Sequence, residues 1–187
     1  MKQTSTGNAG GAGGPDFEEI RRRLRKTLSE RRYRHIENVV NYSKDMAEKW
    51  GVDPEKAETA ALLHDYKKNK DLENNDVLHG ALAADAIREE FGIEDEDILN
   101  AVRYHTTGRR GMSKLELIIF LSDTLEPGRK YPGVDWLREE TDKDLYRGAL
   151  IVLKELKGYL YKKSIDPVSD TIEAIEWLED MDMKGEF

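Results

Sequence analysis

The stretch Ala60-Ala-Leu-Leu-His-Asp-Tyr-Lys-Lys-Asn-Lys70 carries an apolar run straight into an adjacent histidine and aspartate, then into charge. Upstream, Asp53 is placed to cap a helix with Pro54 at its first position, and that helix sets Ala57, Ala60 and Ala61 on the face that His64 ends. A core-forming helix therefore terminates on His64 and Asp65. Burying ionisable groups on such a face costs several kcal/mol, of order 1–7, unless they are paired or coordinated.

Working outward, the same helical period recurs on both sides. Asp16 follows Pro15 at the head of a helix with an acidic start and a basic end, "DFEEIRRRLRKTLS". A second helix, from about Arg31 to Trp50, carries Ile36, Val39, Val40, Met46 and Ala47 at helical spacing and stops at Gly51, with His35 in its first turns. Beyond a charged loop, "KKNKDLENND", a helix from Leu78 to Phe91 holds His79 in its first turn and ends at Gly92. In "EDEDILNAVRYHT", Ile98, Ala101 and Val102 form a stripe that His105 ends. Ser113 and Glu116 make a capping box, after which Leu115, Ile119 and Asp123 share one face. Three more helical stretches follow, one around Trp136, one from about Asp142 to Tyr161 and one from about Ser169 to Asp180. No strand-like alternation and no repeat is visible, so the expectation is an all-α bundle, a single domain over 15–187.

The opening "MKQTSTGNAGGAGG", residues 1–14, is too poor in apolar groups to offset its ordering entropy and reads as a disordered arm or an expression remnant. With no apolar run of spanning length and no signal-peptide layout, the expectation is a cytoplasmic protein that engages no membrane. A net charge of -8 argues against nucleic acid as a partner. Zero cysteines exclude disulfides, thiolate nucleophiles and sulfur ligation, so any metal must be held by histidine and carboxylate. The helix face in "LIVLKELKGYLYKK" suits packing inward or pairing in a homodimer, and both readings stay open.

The chain has four histidines. His35, His64 and His105 lie on or end the apolar stripes of three helices, His79 opens a fourth, and Asp123 sits on a fifth, so a bundle can bring them to one interior point. Nitrogen and oxygen ligands without sulfur suit iron, manganese, cobalt, nickel or zinc. Such an ion activates water near neutral pH and neutralises charge on a phosphoryl oxygen, and Asp65 is placed to bridge a pair of them.

The order His35, His64-Asp65, Asp123 resembles the HD-domain superfamily of metal-dependent phosphohydrolases, named for that doublet. Four longer stretches, "LLHDYKK", "LHGALAADAIREEFGI", "ILNAVRYHTTGRRGMSKLELIIFLSDTLEPGRKYPGV" and "DPVSDTIEA", resemble its YqeK-type branch, the symmetrical diadenosine tetraphosphate hydrolases of bacteria. "RYHTTGRRGMS" followed by "DTLEPGR" carries most of this. The resemblance implies His35, His64, Asp65 and Asp123 as metal ligands with iron as the metal, and Asp65 and Lys68 as catalytic groups. It also implies His79 and His105 as partners of a second metal or of phosphate, and Arg32, Lys68, Thr106, Thr107, Arg109, Arg129 and Thr171 around the nucleotide. A dinucleoside tetraphosphate carries about four negative charges, so a protein of net -8 must gather cations locally, and Lys67, Lys68, Arg109, Arg110, Arg129 and Lys130 are the loop cations available. Two alternatives remain at this level: an HD phosphohydrolase acting on nucleotide monoesters or cyclic nucleotides, and a non-catalytic nucleotide- or metal-binding module.

Overall fold

In the computed structural model, residues 16–68 and 77–187 are described. The expected N-terminal arm and residues 69–76 of the charged loop lie outside them. The described residues form helices α1 (Phe17–Thr27), α2 (Glu30–Trp50), α3 (Pro54–Leu63), α4 (Leu78–Phe91), α5 (Glu96–Arg103), α6 (Lys114–Leu125), α7 (Val134–Lys143), α8 (Leu145–Lys162) and α9 (Ser169–Lys184), with no strand among them.

The helix starts follow from local chemistry. Asp16, Ser29, Asp53, Asp95 and Asp144 each accept a hydrogen bond from a backbone N–H of the first turn they precede. Ser113 and Glu116 close the expected capping box on α6. α2 and α4 end at Gly51 and Gly92, whose φ of 70° and 65° places them in the left-handed region. The sequence misplaces two boundaries: α9 runs past Asp180 to Lys184, and Asp142 still belongs to α7, with α8 capped by Asp144. The earlier start rests on a continuous run of helix-forming residues, which hides a break made by a single residue in extended conformation, Asp144 at φ -155°.

A single apolar core gathers all nine helices of the described residues. α6 runs through its middle, with Leu115, Leu117, Ile118, Ile119, Phe120 and Leu121 all buried, and packs against α2, α3, α5, α7 and α8. α2 and α3 pair closely, as do α4 with α5 and α8 with α9. Arg21 of α1 ties that helix on through Glu37 and the nearly buried Glu58, 3.2 and 2.7 Å away. The first half of α8 packs inward through Leu150, Val152 and Leu153, while Tyr159 and Tyr161 at its end are exposed. No described helix is long and apolar enough to cross a membrane.

One contact sets the geometry of the site. A Cβ built on Gly80 of α4 would lie 2.6 Å from the carbonyl oxygen of Arg103 and 3.0 Å from that of Val102, so α4 reaches the last turn of α5 only because residue 80 has no side chain. Gly80→Ala is expected to destabilise the protein by about 1–3 kcal/mol, the usual cost of overpacking. It should also displace His105, whose ring is bonded to Val102. Chemical denaturation and the histidine NMR signals check both effects.

Candidate metal centre

The ends of five helices converge. His35 lies in the second turn of α2, His64 and Asp65 follow α3 directly, His79 opens α4, His105 sits just past α5, and Asp123 occupies the last turn of α6. Three of these are helix C-termini, where unsatisfied carbonyls concentrate partial negative charge and favour a cation. The imidazoles form a row: ring centroids are 5.7 Å apart from His35 to His64, 5.0 Å from His64 to His105 and 4.8 Å from His105 to His79. His64, Asp65, His79 and His105 are buried, whereas His35 and Asp123 are partly open, so the row is entered from the α2 and α6 end.

Hydrogen bonding fixes how each ring faces. Nδ1–H of His64 donates to the carbonyl of Ala61 at 2.7 Å and Nδ1–H of His105 to that of Val102 at 2.7 Å. His35 uses Nδ1–H on Glu126 Oε1 at 3.1 Å. A neutral imidazole that donates through Nδ1 has a lone pair on Nε2, the arrangement at His64 and His105, whereas His35, set between Glu126 and Asp123, donates from both nitrogens when protonated; all three Nε2 atoms turn into the cluster. There they meet acceptors: His35 Nε2 is 3.0 Å from Asp123 Oδ1, and His64 Nε2 is 3.8 Å from Asp65 Oδ2 and 3.9 Å from Asp123 Oδ1. Asp65 Oδ1 faces Nε2 of His79 at 3.2 Å and of His105 at 3.6 Å.

His64 Nε2 and Asp65 Oδ1 are buried with no hydrogen-bond partner. Confronted acceptors at this depth need a cation between them, and this donor set fits a divalent metal. Two overlapping groups bring their ligand atoms within 4.8 Å, His35 with His64 and Asp123, and His64 with Asp65 and His105.

The electrostatics agree. Burial pushes the His64 imidazole down to about 4, so it stays neutral and able to ligate. Burial works against the charge of Asp65, but His64, His105 and His79 outweigh it and hold the carboxyl well below its ordinary range. Asp123 is lowered in the same way, burial being overcome by the hydrogen bond from His35 and the neighbouring imidazoles. His35 is raised: burial opposes its charged form, and the Asp123 hydrogen bond and charge prevail.

The sign for stability follows. The unfolded chain protonates His64 near pH 6.5, as in a free histidine, whereas the folded one resists to about 4. Stability from this residue is thus full above 6.5 and is lost as pH falls from 6.5 towards 4. His35 acts oppositely, its contribution present below 6.5 and lost as pH rises through its raised value. Thermal melts of metal-free protein against pH, compared with His64→Ala, should show a shallower loss in the variant over that acidic window.

The structure sorts the remaining sequence-derived residues. Lys68 Nζ lies 3.4 Å from Asp65 Oδ1, and Arg129 donates to Asp123 Oδ1 at 2.7 Å and to its backbone oxygen at 2.8 Å, so a cation flanks each end of the carboxylate pair. Arg32 donates to the carbonyl of Lys68 at 2.9 Å. Thr106 is partly exposed beside His105. Thr107 and Thr171 turn inward: Thr171 Oγ1 donates to the Thr107 carbonyl at 2.9 Å and Thr107 Oγ1 to that of Gly108 at 2.9 Å, which pins the turn after His105 to α9. Arg109 spends its guanidinium on the buried Glu116, at 2.7 and 2.6 Å. Lys67 pairs with Glu90 at 2.8 Å.

Sequence reading missed Glu126. This buried carboxylate accepts from His35 through Oε1 and, through Oε2, from Asn38 Nδ2 at 2.8 Å and the backbone N–H of Gly128. Its only sequence signal was its place within "DTLEPGR".

An all-α bundle that delivers four histidines and two aspartates to one point from its helix ends defines a class, that of helical proteins built around divalent metal. The HD domain model matches residues 32–128 of this chain. The symmetrical bis(5'-nucleosyl)-tetraphosphatase of Bacillus subtilis is 36% identical over 179 residues, covering 86% of this chain and 96% of that protein. The enzyme of the same name from Halalkalibacterium halodurans is 40% identical over 163 residues, covering 78% and 87%. The crystal structure of a Clostridium acetobutylicum protein described as a predicted HD superfamily hydrolase involved in NAD metabolism superposes with a TM-score of 0.83 at 34% identity, covering 90% of this chain and 99% of that one. The chain belongs to the HD-domain family, alongside the symmetrical bis(5'-nucleosyl)-tetraphosphatases.

Proposed function

We propose that this protein hydrolyses diadenosine tetraphosphate symmetrically to two molecules of ADP, using divalent metal, with iron the expected ion. The observation that carries the reading is the row of inward-facing imidazoles with a carboxylate and a cation at each end, Asp65 with Lys68 and Asp123 with Arg129. A polyanion laid along that row finds cationic charge at both ends and ligands for metal between them. The relatives named above support the choice of substrate.

His35, His64, Asp65 and Asp123 would hold the metal, and His79 and His105 a second ion or a phosphate oxygen. Bound there, the ion supplies an activated water and neutralises charge at the phosphoryl group. The protein does the rest. The water oxygen adds to an inner phosphorus, the central P–O–P bridge breaks, and the departing bridge oxygen takes a proton to complete the second ADP. Asp65 orients the attack, and Lys68 and Arg129 stabilise charge growing on the transferred and leaving phosphates. Arg32 holds the Lys68 carbonyl in place, Thr107 and Thr171 shape the turn beside His105, and Thr106 and Arg109 border the nucleotide.

The test loads the full chain with iron(II) under anaerobic conditions, and separately with manganese, and resolves the products formed from diadenosine tetraphosphate by ion exchange. ADP as sole product supports the proposal. AMP with ATP would place the attack on an outer phosphorus, and no turnover with either metal would overturn the assignment.

A further inference from the structure

A substrate cut at its centre extends one ADP arm in each direction from the cleaved bond, and one of those arms must leave by the partly open end of the row, between α2 and α6. At that end stands Arg129. Arg129, whose guanidinium bonds Asp123, is also one of the residues lining a depression of about 450 Å3, whose walls include Pro127, Lys130, Tyr131, Asp135 and Arg138. The depression thus begins where the ligand cluster ends.

Its chemistry is that of a phosphate and a flat ring. Lys130 is exposed and makes no ion pair or hydrogen bond among the described residues. Asp135, the one acid in the wall, is already matched by Arg138 Nη1 at 2.6 Å, so the charge of Lys130 stands uncompensated. Tyr131 is 38% exposed, yet its hydroxyl donates to the Thr124 carbonyl at 3.2 Å, which anchors the ring while leaving part of it open to solvent. The loop is held in shape before any ligand arrives: Arg138 donates to the carbonyls of Leu125, Glu126 and Arg129 at 2.8, 2.8 and 3.0 Å. A preformed wall spares a ligand the cost of ordering it.

We infer that this depression seats one of the two terminal nucleosides, with the outer phosphate of that arm on Lys130 and the purine against Tyr131 and Pro127, at the end of the cluster opposite Lys68. The inference rests on the proposed reaction for its substrate and assigns that substrate's path. Purine stacking on an aromatic face and a charge-assisted phosphate contact are each strong enough to shift affinity by about tenfold.

The experiment uses metal-loaded full-length protein and the variants Lys130→Ala, Tyr131→Ala and Tyr131→Phe. KM for diadenosine tetraphosphate should rise about tenfold in the two alanine variants, with the loss falling in KM rather than kcat, and stay near wild type in Tyr131→Phe, which keeps the ring. Metal stoichiometry and melting temperature report that the fold is intact. Calorimetric titration with ADP alone should show two binding steps in wild type and one in each alanine variant. Unchanged KM together with two undiminished ADP steps overturns the subsite. If wild type fails to turn over the dinucleotide, the proposed reaction falls, and the ADP titration still decides the subsite: loss of a step in the variants upholds it, and identical titrations reject it.

Discussion

Asp65→Ala will keep its helical content, bind divalent metal at least about 100-fold more weakly and lose turnover by about three orders of magnitude or more. The size of the effect follows from the position of the carboxylate. Its two oxygens face Nε2 of three imidazoles, those of His64, His79 and His105, and the Lys68 ammonium within 3.2 to 3.8 Å. Removing it leaves lone pairs confronting one another in a buried space with no anion to attract an ion. Metal titration and single-turnover hydrolysis measure the two losses separately. Near-normal metal affinity in the variant would show that the His35, His64 and Asp123 group suffices alone.

Glu126→Ala comes second, with an expected 10- to 100-fold loss of metal affinity, the usual consequence of removing the partner of a ligating histidine. Without Glu126 Oε1, the His35 ring loses the acceptor that keeps its proton on Nδ1 and can turn or change tautomer. Asn38 and the Gly128 N–H lose their acceptor as well. Gly128→Ala should mimic the effect, because a Cβ there would lie 2.8 Å from Glu126 Oε2 and from Asn38 Nδ2. Metal titration across the pH range gives the readout. If neither variant weakens binding, His35 is oriented by Asp123 alone.

Much of this architecture is legible in the sequence because it rests on local rules. Asp53 with Pro54, Ser113 with Glu116, and Gly51 and Gly92 mark helix ends through short-range chemistry, and the apolar period then says which side chains turn inward. The histidines could be picked out as a group since each interrupts or ends an apolar stripe, and interruptions of that kind need partners. What escaped reading were choices among partners. Nothing local says that Arg109 finds Glu116 or that Lys67 finds Glu90 across 23 residues, so the sequence does not reveal that these two cations also pair with acids of the protein itself. Glu126 escaped for the same reason, since its meaning lies in His35, 91 residues away, and a carboxylate before a Pro-Gly pair resembles any turn residue.

The rings of His64 and His105 are oriented by main-chain carbonyls one turn earlier, whereas that of His35 is oriented by a side chain. The difference divides the cluster into a part steered by one side chain and a part steered by the main chain. Every residue type has a carbonyl, so changes of side chain at Ala61 or Val102 leave the acceptor in place, and the inner imidazoles keep their direction across wide sequence drift. A single codon change at position 126 re-aims or releases His35. Divergence in metal preference among descendants of such a chain would accordingly be recorded first at the outer end of the row, where one side chain sets the direction of a ring.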